Sequence, residues 1–204
     1  MQLPVIYLHT PGLEFLRPYI IAALSDSYTV TDNPDTHAQT SMAIVRESEA
    51  DAVDSKVINT LLITPDAVIG TGMNGIGREL AEGIGRGRLY HISGNDAMVS
   101  TLHATGAGQA ARLAAGRPGR FIVADSQPVM MDSLIEALAI RINNRRVYTL
   151  KPRWAWWLMP PYLRRLTTTD SVVTPDFQTH FPEFNPVSAC DYLKTHDYTA
   201  DDTL

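Results

Sequence analysis

Val5-Ile6-Tyr7-Leu8-His9-Thr10-Pro11-Gly12-Leu13 sets the reading of the whole chain. Val5 to Leu8 is a short apolar, β-prone run, too short for a helix and suited to a buried strand. It breaks at His9-Thr10-Pro11-Gly12. Beyond the break, Leu13, Leu16, Ile20, Ala23 and Leu24 fall on one face at the period of an amphipathic helix. Tyr28-Thr29-Val30-Thr31 predicts a second strand, stopped by the turn residues Asp32-Asn33-Pro34. Strand, helix and strand in this order open a parallel sheet.

The alternation continues down the chain. Residues 38–55 read as a polar helix exposing Glu47, Glu49 and Asp51, and 57–63 as a third strand closed by Thr64-Pro65. Glycines at 70, 72, 75 and 77 precede a helix to about Arg86, and a strand is expected at 88–92 with a turn at 93–96. A helix over 105–115, a strand over 121–124 and a helix over 130–143 follow. The pattern then dissolves into Trp, Pro and basic residues before two helical pieces at 175–181 and 187–195. Alternating strands and helices argue for an α/β fold. The chain is expected to be a single unit over 1–204, with a core at 1–125 and a smaller C-terminal part at 126–204.

Composition narrows the function classes. Of 204 residues, 45% are hydrophobic and 19% charged, which is ordinary for a globular protein. Lys and Arg total 17 against 22 Asp and Glu, a net charge of −5 that argues against a general nucleic-acid binder. The charge is uneven: Arg141 to Arg165 holds seven basic residues and no acid, leaving 10 basic and 22 acidic residues elsewhere. One cysteine, Cys190, excludes a disulfide framework and a cysteine-based zinc site, and fits a reducing compartment. No stretch is long and apolar enough to span a bilayer, and the start lacks signal-peptide features, so a cytoplasmic protein is expected.

Two loops compete as a phosphate cradle. Gly70-Thr71-Gly72-Met73-Asn74-Gly75 fits G-x-G-x-x-G, the pattern whose glycines let backbone N–H groups approach a pyrophosphate. Its strand is only Ala67 to Ile69, because Pro65 cannot sit in a central ladder, which favours a structural loop. The other loop, His9 to Leu13, lies between the first strand and first helix but holds a single glycine.

Read whole, the chain resembles the extended short-chain dehydrogenase/reductase family, the NAD-dependent epimerase/dehydratase group. Leu62-Ile63-Thr64-Pro65-Asp66-Ala67-Val68-Ile69-Gly70-Thr71-Gly72 is similar to that family's Leu-Arg-Pro-x-x-Val-Tyr-Gly-Pro-Gly segment. Leu102-His103-Ala104-Thr105 stands where the family has Val-His-Val-Asp. Phe121 to Asp125, Pro128-Val129 and Leu134 to Ala139 resemble its next strand and helix. The resemblance covers 1–150 with gaps. It implies a reduced Rossmann-like parallel sheet flanked by helices in three αβα layers, with a small C-terminal lobe.

The resemblance places the pyrophosphate cradle, Thr-Gly-x-x-Gly-x-x-Gly, on Thr10, with its glycines at Pro11, Glu14 and Arg17. All three glycines are replaced. Pro11 lacks an N–H, Glu14 brings a carboxylate toward a diphosphate, and Arg17 crowds the helix against the strand while offering a phosphate partner. NAD or NADP binding is accordingly expected to be weak or absent. The implied cofactor-binding positions are Thr10, Gly12, Leu13 and Asp32 at the first loop, Asp32 matching the acid that holds the ribose. Pro65, Ala67 and Val68 are those implied at the second. Asp32 reads equally as a turn former before Asn33-Pro34.

The family's Tyr-x-x-x-Lys pair, in which an ammonium one helical turn away lowers a phenol's pKa, occurs nowhere in the chain. Its positions fall on Met42 and Arg46 of the helix expected at 38–55. The readings that follow are a degenerate relative acting as a nucleotide- or small-molecule-binding or regulatory protein, an active NAD(P)-dependent oxidoreductase or epimerase using Tyr90 or His103 as proton donor, and a structural subunit. In the last, a second copy or a partner protein covers an exposed sheet edge.

The remaining features have plainer readings. The six histidines form no i, i+4 pair, so no metal is expected, and His103 reads as a hydrogen-bonded residue at a helix start. Cys190 reads as a small core residue. Lys151 to Arg165 reads as an anion site, as an interfacial patch on an anionic membrane, or as packing in which Trp154, Trp157 and Leu158 cover the core. Packing is the favoured reading of the three.

Overall fold

The computed structural model describes residues 3–34, 38–53, 58–89, 91–92, 95–143, 149–150, 157 and 160–195. The chain begins as the sequence predicts. Strand β1 (Val5–His9) turns through Thr10–Leu13, passes one 3-10 turn at Glu14–Leu16 and enters helix α1 (Arg17–Leu24). Pro18 lies in the first turn of α1, where a missing N–H costs no helical bond. Strand β2 (Thr29–Thr31) then returns parallel to β1, with Val5 opposite Thr29.

The next element overturns the reading of 38–55 as a helix. Thr40–Arg46 is a strand, β3, followed by a 3-10 segment at Glu47–Ala52. Every residue from Thr40 to Val45 is buried. A parallel strand covered on both faces reads as a continuous apolar run and not as an alternation, which hides it from periodicity. Glu47, Glu49 and Asp51 belong to the turn beyond it. The proposed Tyr/Lys equivalents fall with the helix. Met42 is buried within β3 and Arg46 ends the strand, and four residues of strand span ~13 Å, far from one helical turn.

Strand β4 (Thr60–Thr64) pairs parallel with β3 and leads through Pro65 to β5 (Ala67–Ile69), after which the glycine-rich loop opens helix α2 (Gly75–Gly85). Short strands β6 (His91–Ile92), β7 (Met98–Val99) and β8 (Thr101–His103) precede helix α3 (Ala104–Ala114) and strand β9 (Gly119–Ile122). The strand expected at 88–92 is thus shorter, and that expected at 121–124 starts earlier. Strand β10 (Val129–Met130), helix α4 (Met131–Asn143), strand β11 (Thr149–Leu150) and helices α5 (Pro161–Thr168), α6 (Phe177–His180) and α7 (Ala189–Thr195) complete the described chain. The sequence pattern gave no sign of α5, whose Pro160-Pro161 start reads as a loop.

The main sheet has the order β2-β1-β3-β4-β9, and all four pairings are parallel. Against one face pack α1 and α3, with Ile6, Leu8, Met42, Ile44 and Leu62 meeting Leu16, Ile20, Leu24 and the alanines of α3. Phe121 stands edge-on to Phe177 at 5.9 Å and closes that core from the α6 side. On the other face Val45 and Ile63 meet Ala50 of the 3-10 segment. A second core joins α2, α4 and α7 beneath β5. Trp157 is 75% exposed with the Arg164 guanidinium 5.1 Å from its ring centroid, so it does not cover the core as the packing reading required. An aromatic ring paired with a guanidinium keeps favourable contact without being buried. Trp154 and Leu158 lie outside the described residues.

Small residues bring α3 against α1. A Cβ at Gly108 would stand 2.9 Å from the Tyr19 carbonyl oxygen, whereas one at Gly85 meets nothing within 4 Å. Gly108→Ala is therefore expected to cost about 1–3 kcal/mol through forced separation of the helices. Gly85→Ala is expected to be neutral or to stabilise by about 0.5–1 kcal/mol through helix propensity. Urea unfolding of both variants checks the pair; equal effects would contradict the close α1–α3 contact.

Candidate functional site

In a sheet of this order the chain runs outward from β1 to β2, then crosses back to lay β3 on the other side of β1. Ligands of open α/β sheets bind in the crevice beyond the carboxyl ends of the two strands at that reversal. Here those ends are His9 and Arg46, with His9 opposite Ala43, three residues before Arg46 on β3. Three segments converge there: Thr10–Glu14, Arg46–Glu49 and the glycine-rich loop at Asn74.

Arg46 is the hub. Its Nη2 donates to Asn74 Oδ1, and Asn74 Nδ2 donates to the Gly12 carbonyl at 2.7 Å. Its Nη1 lies 3.6 Å from Glu49 Oε1. Gly12 N–H donates to Glu14 Oε1 at 3.0 Å. Gly12 has φ 64° and Gly75 has φ 61°, left-handed values that favour glycine. A Cβ on Gly12 would lie 3.1 Å from both Arg46 Nη1 and Glu49 Oε1, and one on Gly75 3.2 Å from Arg46 Nη2. The two glycines thus make room for the guanidinium. Arg46 Nε and Glu49 Oε2 are buried and find no hydrogen-bond partner among the described residues.

A dinucleotide does not fit this loop in the way the sequence resemblance implies. A diphosphate needs free backbone N–H groups at the start of the first helix. Pro11 has none, and the Gly12 N–H is taken by a carboxylate. Arg17, the one replacement able to meet a phosphate, is turned to Asp32 at 3.3 Å, an exposed ion pair. Asp32 is therefore placed beside α1 and not beside the Arg46 cluster. Of the other expected residues, Thr10 and Leu13 are buried at the loop, and Leu13 belongs to the α1 core. Ala67 and Val68 are buried in β5, facing different cores, and Pro65 links β4 to β5. The structure brings Gly12 together with Arg46, Glu49 and Asn74; sequence reasoning selected Arg46 only as the position of the family's Lys and did not select Glu49 or Asn74. The signal available was Arg46 closing a six-residue apolar run, the position from which a parallel strand delivers its next side chain to the sheet's carboxyl edge.

A second polar cluster lies inside the molecule. His103 is fully buried; its Nδ1 accepts from Thr105 N at 3.2 Å and caps α3, as expected of a residue at a helix start. Its ring stacks on Tyr192 of α7 at 3.6 Å between centroids. Asp125 Oδ2 accepts from Thr101 Oγ1 at 2.6 Å and from Ala189 N at 2.9 Å. Burial pushes the Asp125 carboxyl from the ordinary 3.8 up to about 6, against the lowering effect of those two bonds. Burial likewise pushes the Cys190 thiol up to about 11, so this cysteine is a core residue with little thiolate. Tyr90, the other proton donor considered, lies outside the described residues. Among the described residues no group of three His, Cys, Asp or Glu side chains could hold a metal ion, and no helix is long and apolar enough to cross a membrane.

The sequence matches no protein-family model and no curated protein. Solved structures do match. A GDP-L-fucose synthetase from Naegleria fowleri superposes with a TM-score of 0.60 at 6% identity, covering 95% of this chain and 93% of that one. The fold is shared with epimerase-type structures. A candidate epimerase from Burkholderia cenocepacia J2315 gives a TM-score of 0.57 at 8% identity, over 95% of this chain and 96% of that chain. A functionally unknown conserved protein from Silicibacter pomeroyi DSS gives 0.53 at 14% identity, over 93% and 76%. The α/β architecture expected from the sequence, a parallel sheet flanked by helices, is therefore the architecture found, and it is the Rossmann-like form of the epimerase-type fold.

Asp125 gives this fold a pH dependence of known sign. Its carboxyl binds a proton more tightly in the folded than in the unfolded chain, so its contribution to stability is full below pH 3.8 and is lost as pH rises to about 6. The full loss is about 3 kcal/mol. Asp125→Asn keeps an acceptor for Thr101 and Ala189 and removes the charge. The variant is expected to gain on the native protein as pH rises from 4 to 7, measured by urea unfolding at each pH. A constant difference across that range would contradict the assignment.

Proposed function

We propose that the chain is a divergent relative of the NAD-dependent epimerase/dehydratase group that binds a nucleotide or other small molecule at the β1/β3 crevice. It acts as a binding or regulatory protein without Tyr/Lys redox chemistry. The observation that carries this reading against a working dehydrogenase is the Gly12 N–H, already satisfied by Glu14 Oε1 where a dinucleotide-binding loop leaves its N–H groups free for phosphate. The shared epimerase-type fold supports the crevice as the binding place, since position at the strand reversal depends on topology and not on particular residues. The absence of any Tyr-x-x-x-Lys in the sequence supports the loss of conventional proton transfer.

Thermal unfolding with NAD, NADH, NADP and NADPH, each at about 1 mM, tests it. A ligand at 100 times its Kd adds about 2.7 kcal/mol, and each kcal/mol moves the melting point of a chain this long by about 2–4 °C. No shift is expected with any of the four. A shift of several degrees with one of them would restore the dehydrogenase reading.

A further inference from the structure

We propose that the outer face of α5, together with Trp157 before it, is a docking surface for an anionic lipid bilayer, on which the chain rests without crossing it. This surface is separate from the β1/β3 crevice and does not depend on what binds there. The first argument is exposure. Trp157 is 75% and Tyr162 52% exposed, two large rings in the open a few residues apart. Trp and Tyr settle at the headgroup level of a bilayer, where the ring meets hydrocarbon and the polar edge meets water. Thr167 is buried, and at helical spacing Tyr162 and Arg165, both exposed, lie on the opposite face of α5. The far end of the helix is tied to the body. Asn95 Nδ2 donates to the Thr167 carbonyl at 2.8 Å, and Asp170, just past the helix, accepts from Met98 N at 2.7 Å. The helix is thus held from within while Tyr162 and Arg165 face out.

The second argument is charge. Arg141 to Arg165 carries seven basic residues and no acid, in a chain whose remainder holds 10 basic and 22 acidic residues. The Arg164 guanidinium stands 5.1 Å from the Trp157 ring centroid, so positive charge lies at the exposed ring itself. An aromatic ring with a cation beside it meets both layers of an anionic surface, the ring at the acyl boundary and the cation at the lipid phosphate. The acidic remainder opposes this little, because charge more than a Debye length of about 8–10 Å from the bilayer plane is screened. A single-stranded nucleic acid suits the patch less. It needs successive phosphate contacts along a basic groove and open ring faces for its bases. Here Arg164 and Arg165 supply the charge among the described residues of α5, and Arg164 already covers one face of Trp157.

Co-sedimentation and tryptophan emission of the full chain test the proposal, with vesicles of phosphatidylcholine alone and of phosphatidylcholine holding about 30% phosphatidylglycerol. All three tryptophans of the chain stand at 154, 156 and 157, so a blue shift of the emission reads this stretch alone. The protein is expected to pellet with the anionic vesicles at low salt with a blue shift, and to stay in solution with the neutral ones. Salt at about 0.5 M is expected to release it. Arg164→Gln with Arg165→Gln is expected to weaken binding by about 25-fold, near fivefold per charge. Arg164→Lys with Arg165→Lys keeps the charge and is expected to bind as the native chain does, which separates lost charge from a damaged fold. Trp157→Ala with Tyr162→Ala is expected to weaken binding by at least about tenfold. No pelleting with the anionic vesicles, equal pelleting with the neutral ones, or binding that both the glutamine and the alanine pairs leave intact would each overturn the proposal. Tighter binding of a single-stranded RNA than of the anionic vesicles would overturn it in favour of a nucleic-acid surface.

Discussion

A buried strand paired with its neighbours leaves little room for an unsatisfied polar group, and β3, paired with β1 over Thr40–Ala43 and with β4 over Met42–Arg46, is buried for six consecutive residues. Ser41, near the β3 start, obeys it, its Oγ accepting from Asn59 N at 2.9 Å. Because β3 lies between β1 and β4, it fixes the strand reversal that defines the crevice. It also delivers Arg46, the first residue past the buried run, to the mouth of that crevice. The position of the proposed site follows from the burial of the strand behind it.

At the mouth, three features of the loop after β1 act in one direction. Removing the N–H at Pro11, engaging the next N–H with Glu14 and turning Arg17 toward Asp32 each reduce what the loop can offer an anion. A charge-assisted bond to a backbone N–H is among the stronger hydrogen bonds available. The loop is thus held shut by its own carboxylate on one side and by the Arg46–Asn74 connection to the Gly12 carbonyl on the other. Both polar groups of a single glycine are satisfied from two different parts of the chain.

Much of this was legible in the residues. The β1–α1–β2 opening and the helices at α3, α4 and α7 followed from periodicity and breakers. The strand β3 did not. Met42 to Val45 carries no alternation because both faces are covered, and the acids that follow at Glu47, Glu49 and Asp51 resemble one face of a surface helix. Losing β3 also lost Arg46 and Glu49, since their meaning depends on where that strand ends. Asn74 was visible as part of a glycine-rich run, but its bond to Gly12 joins residues 62 positions apart. Such pairings belong to the folded topology and leave no local trace in the sequence.

Cys190 turns the docking of the last helix into something that can be timed. The thiol is buried on α7, and the start of that helix is tied to Asp125 through Ala189 N. A disulfide-forming reagent reaches the sulfur only when α7 lifts from the α2–α4 core. With a single cysteine in the chain, its modification rate reports one opening event with no background from other sites. The same burial that makes the thiol inert in chemistry makes it a built-in gauge of how often the C-terminal end of the fold comes undone.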